Sequence, residues 1–209
     1  MVTFLGLDAG TLGVKGVVVG DDGAVLARAR REHAPTHPEP GWSEQSAESD
    51  WWGDSVAVIR ELLQHENVLP SEIAAIGVSG LTPCLLPLDA NGFVLRRAIL
   101  YSDNRALEQL QHANRLLPEP LTAQAVIPKW RWIVENEPHV AYFARSLVSS
   151  HNYIVFCLTG ELSMDYDTAS IMGGVFDGAN RAWDAGRCAL LGIDPDLLVE
   201  GPDEPPADP

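Results

Sequence analysis

Short runs of apolar residues separated by glycine-containing turns open the chain. Residues 2–8, 14–19 and 24–30 are rich in apolar or β-branched side chains, and Asp21-Asp22-Gly23 is typical of a hairpin turn. This pattern predicts three strands joined by two tight turns. A Rossmann domain would instead place a helix directly after the first strand. The opening pattern therefore argues against that fold.

A helix and further strands are predicted beyond a loop. Residues 32–46 hold three prolines and predict the loop. One buried helix face is predicted by four residues at helical spacing: Trp52, Val56, Ile59 and Leu63. Buried strands are expected over residues 73–79, 84–88 and 98–101. Asn91-Gly92 is typical of a type I′ hairpin turn.

The second half of the chain has a helical pattern until its end changes character. A helix is predicted with four residues facing inward: Ala106, Leu110, Ala113 and Leu117. Residues 122–160 predict two or three more helices, with Pro128 and Pro138 near helix starts. The last nine residues are rich in proline and acid and cannot continue a helix or a central strand. We expect one domain over residues 1–200 and a tail or linker over 201–209.

Charge and cysteine content narrow the function classes. The chain has 209 residues with 29 Asp+Glu against 14 Lys+Arg, a formal net charge of -15. This excess of acid argues against binding to nucleic acid or to an anionic membrane surface, which both favour basic proteins. The three cysteines, Cys84, Cys157 and Cys188, form no metal-binding pattern. We expect buried thiols at Cys84 and Cys157 and a cytoplasmic protein.

The first candidate for chemistry is the segment from Asp8 to Gly16. An acid at the end of a buried strand is followed by a turn rich in glycine and threonine and by Lys15. Backbone N–H groups and the Thr11 hydroxyl in such a turn can bind a phosphate, and Asp8 can hold Mg²⁺ through its oxygens. The spacing matches neither GxxxxGK[ST] nor GxGxxG. A glycine-rich hairpin with an exposed acid is the simple alternative.

Several motifs in the same order resemble the N-terminal domain of the FGGY carbohydrate kinases. They are the acid–Gly–Thr hairpin, Gly41-Trp42-Ser43-Glu44-Gln45, Trp51-Trp52, Ile76-Gly77-Val78-Ser79-Gly80 and Arg96 to Arg105. The resemblance implies an actin-like, ribonuclease-H-like α/β domain with a mixed sheet that opens with an antiparallel hairpin. It also implies phosphoryl transfer from Mg²⁺-bound ATP to a hydroxyl of a sugar or polyol, the small-molecule partner.

The resemblance assigns roles on the phosphate side. Asp8 would organise Mg²⁺ and the γ-phosphate as the catalytic acid residue of this chain. Gly10, Thr11 and Lys15 would hold phosphate oxygens. Leu12 departs from the family pattern, in which relatives often carry a second hydroxyl at this position.

The resemblance places the sugar side after the strand that ends at Gly80. The corresponding positions are Leu81, Thr82 and Pro83, and only Thr82 can form hydrogen bonds through its side chain. Tyr101 and Asp103 match aromatic and acidic positions of the family and complete the expected substrate contacts. The alternative for Asp103 is an acid at a helix start that pairs with Arg105.

The family pattern also predicts what this chain lacks. The family's catalytic base lies in a Gly-Asp motif near the end of the N-terminal domain, and no Gly-Asp pair occurs late in this chain. We expect an inactive N-terminal half that lacks the C-terminal FGGY domain and needs that half or another chain. The alternatives are a non-catalytic sugar- or phosphate-binding module, which Leu12, Leu81 and Pro83 favour, and another actin-like ATPase.

Overall fold

Three antiparallel strands begin the structure, a computed structural model that describes residues 2–199. Strand β1 spans Thr3–Gly10, β2 Gly13–Gly20 and β3 Val25–Glu32, and each pairs with the next. Buried and exposed positions alternate along β1 because successive side chains of a strand point to opposite faces. The predicted order of strands and turns is confirmed. The predicted tail over 201–209 lies outside the described residues.

A parallel strand completes the main sheet. After the short strand β4, Glu44–Gln45, and helix α1, Asp54–Leu63, the chain returns as β5 over Ile73–Gly80. Strand β5 lies parallel to β1, so the sheet order is β3-β2-β1-β5. Because β1 and β5 run in the same direction, the segments that follow them leave the sheet at the same edge.

Helix α1 buries a different face from the predicted one. The helix continues from a π-helical turn over Ala47–Gly53. The fully buried positions are Trp51, Ser55, Val58 and Leu62. Our prediction was one residue too late at each of them. The predicted face, beginning at Trp52, is only partly buried.

The second half of the described chain is mainly helical. Its helices are α2 Leu107–Leu116, α3 Val126–Asn136, α4 Pro138–Phe143, α5 Ser150–Thr159, α6 Tyr166–Ile171 and α7 Ala185–Leu191. The short strands are β6 Leu86–Leu88, β7 Ala98–Ile99, β8 Ser146–Val148, β9 Phe176–Asp177 and β10 Ala182–Trp183. The expectation of two or three helices over 122–160 is confirmed, and β8 was not predicted. Pro138 begins α4, and Pro128 lies in the first turn of α3, because a missing N–H costs nothing there.

The turn at Asn91-Gly92 differs from the predicted type. Gly92 has φ +79°, and Asn91 is not left-handed, so the turn cannot be type I′. The N–H of Gly92 donates to the Asp89 carbonyl, and that of Asp89 donates to the Phe93 carbonyl. The Asp89 carboxylate also accepts from the N–H groups of Asn91 and Phe93. These bonds favour a three-residue loop over the two-residue turn.

The core lies on one face of the main sheet. Helix α1 packs against β2 and β3, and α5 packs against β5. Leu5, Leu7 and Ala9 point from β1 into this core, whereas Phe4 and Asp8 lie on the opposite, exposed face. Among the described residues, no helix is long and apolar enough to cross a membrane. All three cysteines are free; Cys84 is buried as expected, and Cys157 only partly.

Candidate functional site

Asp8 and Lys15 stand side by side on the exposed face of the sheet. They are opposite each other on β1 and β2, so their side chains leave the sheet on the same face. Ser79 is opposite Asp8 on β5. All three are exposed, and within residues 2–199 neither charged group has an ion-pair partner. The carboxylate and the ammonium group are therefore both available to a ligand.

Polar side chains bond to the protein-facing side of the turn between β1 and β2, residues 10–13. The Gly10 carbonyl accepts from His33 Nε2 at 3.1 Å, and the Thr11 carbonyl accepts from Gln45 Nε2 at 2.7 Å. The Leu12 carbonyl accepts from the N–H of His33 at 3.4 Å. Three successive carbonyls thus point toward the protein. In a trans peptide the N–H points opposite to the carbonyl, so the N–H groups of Thr11 and Leu12 point away from it.

The two side chains beneath the turn are themselves fixed. His33 Nδ1 lies 2.8 Å from Oδ2 of Asp54, the first residue of α1. Gln45 is fully buried, and its Oε1 accepts from Trp51 Nε1 at 2.9 Å. The Asp54 carboxylate and the Gly10 carbonyl are both hydrogen-bond acceptors, so each ring nitrogen of His33 faces an acceptor.

Gly13 closes the turn in a conformation that other residues rarely adopt. Its φ is +145°, and a Cβ atom there would lie 2.2 Å from the Arg31 carbonyl oxygen. Only glycine fits without movement of β3. Of the two glycines in this turn, Gly13 is therefore required for steric reasons.

The segment after β5 begins directly beside this turn. The N–H of Leu81 donates to the Ala9 carbonyl at 2.8 Å. Thr82 and Pro83, joined by a cis peptide bond, then line a cavity of about 450 Å³, which we call the Thr82 cavity. Its other polar lining residues are Thr122, Gln124 and Ser170. Hydroxyl and amide groups of this kind suit a neutral, hydroxyl-rich ligand.

A smaller cavity of about 250 Å³ adjoins it and shares Thr82 and Ile171. His151 and Asp165 line this second cavity, and His151 Nε2 lies 2.8 Å from Asp165 Oδ2. Burial alone would raise the pKa of Asp165. Hydrogen bonds from the Thr168 N–H and from His151 outweigh it, so the pKa lies below its ordinary value. Asp165 also caps α6, which gives its carboxylate a structural role.

Tyr101 and Asp103 lie in a different setting from Thr82. The Asp103 carboxylate is fully buried, accepts from the Ser43 N–H at 2.6 Å and pairs with Arg105 at 2.7 Å. Arg105 also pairs with Glu44, which in turn pairs with Arg96. We call Asp103, Arg105, Glu44 and Arg96 the Arg105 cluster. Both Asp103 oxygens are occupied within it, which favours the ion-paired alternative over substrate contact.

Aromatic rings close the Arg105 cluster. The Arg105 guanidinium lies 3.8 Å from the centre of the Trp42 ring and 5.0 Å from that of Trp132. The Arg105 side chain has no exposed surface. Stacked, paired and desolvated, this arginine is part of the architecture.

Sequence reasoning missed Lys129, which is buried on α3. Its Nζ donates to the Gln124 carbonyl at 3.0 Å and to the Tyr101 carbonyl at 3.4 Å. Burial lowers its pKa to about 8, against attraction from Asp103. Lys129 therefore ties Tyr101 to the wall of the Thr82 cavity. A lysine among the apolar residues of Ile127-Pro128-Lys129-Trp130 was the available signal.

Comparisons with known proteins show which family the chain belongs to. Residues 3–200 match the N-terminal domain of the FGGY family of carbohydrate kinases. The chain belongs to this family. It is 28% identical to the xylulose kinase of Bacillus subtilis over 95% of this chain and 42% of that protein. It is 34% identical to the L-xylulose/3-keto-L-gulonate kinase of Escherichia coli over 75% of this chain and 33% of that one.

Solved FGGY structures share the fold. The xylulose kinase of Rhodospirillum rubrum superposes with a TM-score of 0.88 at 30% identity, over 96% of this chain and 42% of that one. The glycerol kinase of Plasmodium falciparum, at 18% identity and a TM-score of 0.80, shows the fold alone. The predicted actin-like α/β fold is confirmed. The chain spans about two fifths of the length of these relatives.

Asp8, beside the β1–β2 turn, fits a magnesium ion that is held mainly by water and phosphate oxygens. Within residues 2–199 no three His, Cys, Asp or Glu side chains form a group that could hold a metal. Asp8 is a single exposed carboxylate. Mg²⁺ commonly keeps several waters and binds through one or two carboxylates plus substrate phosphates. Asp8 suits that mode.

Proposed function

We propose that this chain supplies the phosphate-binding and sugar-binding sides of an ATP-dependent carbohydrate kinase. One observation carries the proposal. The hydrogen bond from the Leu81 N–H to the Ala9 carbonyl places the Thr82 cavity beside the β1–β2 turn, and Asp8 and Lys15 flank that turn. Phosphoryl transfer needs the acceptor hydroxyl and the phosphate in adjacent, fixed positions. The relatives' names, with xylulose kinases prominent, support a ketose or related polyol as substrate.

The proposed roles follow from which groups are available. Lys15 and the outward N–H groups of Thr11 and Leu12 bind phosphate oxygens. Asp8 holds Mg²⁺, which when bound neutralises charge on the transferring phosphoryl group. Thr82 binds a substrate hydroxyl, because Thr82 lines the cavity and its Oγ1 has one hydrogen-bond partner within residues 2–199, Ser149 Oγ at 3.3 Å.

We propose further that residues 1–209 alone do not turn over substrate, and that a C-terminal kinase half or another chain supplies the rest. Among the described residues, no carboxylate lines the Thr82 cavity, and in the adjoining cavity the Asp165 carboxylate is bonded to His151 and caps α6. We therefore expect another chain to supply the general base for the sugar hydroxyl. A missing base costs about 10²–10⁴-fold in rate. A cytoplasmic location is in keeping with three free cysteines.

A non-catalytic binding module is the second candidate. Leu12 is 71% exposed at the tip of the turn, where a hydroxyl would bind phosphate better. The apolar Leu81 and Pro83 reduce the polar groups available to a sugar. This candidate predicts binding of sugar or phosphate without turnover even when a C-terminal half is supplied.

The test uses the purified chain with Mg²⁺ and ATP, D-xylulose or L-xylulose, alone and with the C-terminal part of a related kinase. We expect no phosphorylation by the chain alone and measurable activity in the mixture. Asp8→Asn should abolish that activity, while Asp21→Asn, an exposed acid at the other end of β2, should preserve it. Efficient phosphorylation by the chain alone would contradict the proposed inactivity. Unchanged activity in Asp8→Asn would remove Asp8 from the site.

A further inference from the structure

We infer that His33 and Gln45 are positioning residues that aim the N–H groups of Thr11 and Leu12 at a bound phosphate. This inference rests on the proposed phosphate site, and it assigns a role to two residues outside the Asp8–Lys15 segment. Neither side chain is placed to touch a ligand at the turn, because each bonds a carbonyl on its protein-facing side. Their effect on a ligand passes through the peptide groups.

The direction of the peptide groups is the first step of the argument. The peptide groups at the centre of a two-residue turn can rotate unless other groups hold them. Packing restrains them little here, because Thr11 is half-buried and Leu12 is exposed. The bond from Gln45 Nε2 to the Thr11 carbonyl, at 2.7 Å, fixes the peptide whose N–H belongs to Leu12. The bond from His33 Nε2 to the Gly10 carbonyl, at 3.1 Å, fixes the peptide whose N–H belongs to Thr11. Both N–H groups therefore point to the ligand side before any ligand arrives.

The rigidity of the supports is the second step. His33 is anchored to Asp54 on α1, and its side chain is 7% exposed. Gln45 is anchored to Trp51, which has no exposed surface. Because His33 and Gln45 are held by the core, they can fix the position of the turn. An exposed side chain would instead move together with the turn.

The experiment measures binding of inorganic pyrophosphate with Mg²⁺ by backbone NMR of the whole chain. Two variants remove one bond each, His33→Phe and Gln45→Met. We expect both variants to bind pyrophosphate with roughly three- to tenfold lower affinity, as measured from the Thr11 and Leu12 amide signals. This is the effect of one lost hydrogen bond. His33→Gln keeps an amide donor for the Gly10 carbonyl and should recover most of the affinity. His37→Gln, in the same loop but bonded to the Trp42 carbonyl, is the matched control and should bind as the wild type does.

The outcomes separate this inference from the proposed function. If wild-type amides respond and the variants bind equally well, the positioning roles are wrong. If wild-type amides do not respond, the proposed phosphate site fails. The carbonyl ¹³C signals without ligand then decide whether the bonds exist: Gly10 should shift in His33→Phe and Thr11 in Gln45→Met. Unchanged carbonyl signals would overturn the inference by themselves. Should Gln45→Met fail to fold, the His33 pair carries the same test.

Discussion

The β1–β2 turn and the Arg105 cluster are two polar regions of the same domain with opposite organisation. At the turn, Asp8 and Lys15 are exposed, and the fixed groups are carbonyls held from the protein side. In the cluster, every charge faces another charge, and Arg105 has no exposed surface. Both regions come from motifs that resemble the same family. The comparison shows that charged residues are available for chemistry only where their partners lie outside the protein.

The largest expected effect comes from opening the Arg105 cluster. Arg105→Met would leave the buried Asp103 carboxylate without its strongest partner and would weaken the pairing of Glu44. Removing one partner of a buried ion pair costs about 3–5 kcal/mol. Urea unfolding would measure the loss in free energy of unfolding. The control is Arg31→Met, which breaks an exposed pair with Glu61 and should cost less than about 1 kcal/mol. Equal losses in both variants would mean that the cluster is not the structural region described above.

Gly13→Ala tests the rigidity of the turn and should have the next largest effect. The new Cβ would lie 2.2 Å from the Arg31 carbonyl at a φ of +145°. Backbone strain of this kind costs about 1–3 kcal/mol, and the clash adds to it. Gly23→Ala is the matched control at the other turn of β2, because φ is +82° there and nothing lies within 4 Å. We expect the midpoint temperature of thermal unfolding to fall further in Gly13→Ala than in Gly23→Ala. A larger fall in Gly23→Ala would contradict the steric explanation.

Lys129→Met tests the edge of the Arg105 cluster through pH. The pKa of Lys129 is lowered to about 8 in the folded protein from 10.5, so between these values the folded state has lost a proton that the unfolded state keeps. Raising the pH therefore favours the folded wild type across this range. The stability of the wild type relative to Lys129→Met should rise from pH 8 to 10.5 in urea unfolding. Lys15→Met, at an exposed lysine, is the control, and a parallel rise there would show that the effect does not come from burial.

The smallest expected effect is a gain at the tip of the turn. Leu12→Ser would place a hydroxyl beside the outward N–H groups at a position that is 71% exposed. One added hydrogen bond should strengthen pyrophosphate binding by roughly threefold. Stability should change by less than about 0.5 kcal/mol. Leu69→Ser, at an exposed leucine far along the chain, should leave affinity unchanged. No gain in Leu12→Ser would mean that bound phosphate does not reach this side chain.

The parts predictable from sequence are those governed by local geometry. A two-residue turn between strands places Asp8 opposite Lys15, so their proximity follows from spacing alone. The alternation along β1 follows from its short-range pattern, and the mixed sheet was implied by the family resemblance. The face of α1 was not predictable from apolar spacing, because the buried positions keep the predicted spacing one residue earlier and include the polar Ser55.

The remaining parts depend on contacts between distant segments. Sequence left the two roles of Asp103 open because it cannot show whether the carboxylate is already occupied. That answer comes from the Ser43 N–H, 60 residues away in the chain. The support of Gly10 by His33 crosses 23 residues and starts in a proline-rich loop that carries no regular pattern. Polar side chains that bond to carbonyls are recognised only after the chain has folded around them.

The bond between the Leu81 N–H and the Ala9 carbonyl has a consequence for how such a domain can diversify. It joins the two segments through a main-chain N–H and a main-chain carbonyl, which every residue except proline can supply at position 81. Side chains at positions 81–83 can therefore be exchanged while the spacing between acceptor and phosphate stays the same. In the proposed site, the side chains at positions 81–83 would therefore determine which sugar binds, while the main-chain bond would keep the distance to the phosphate constant.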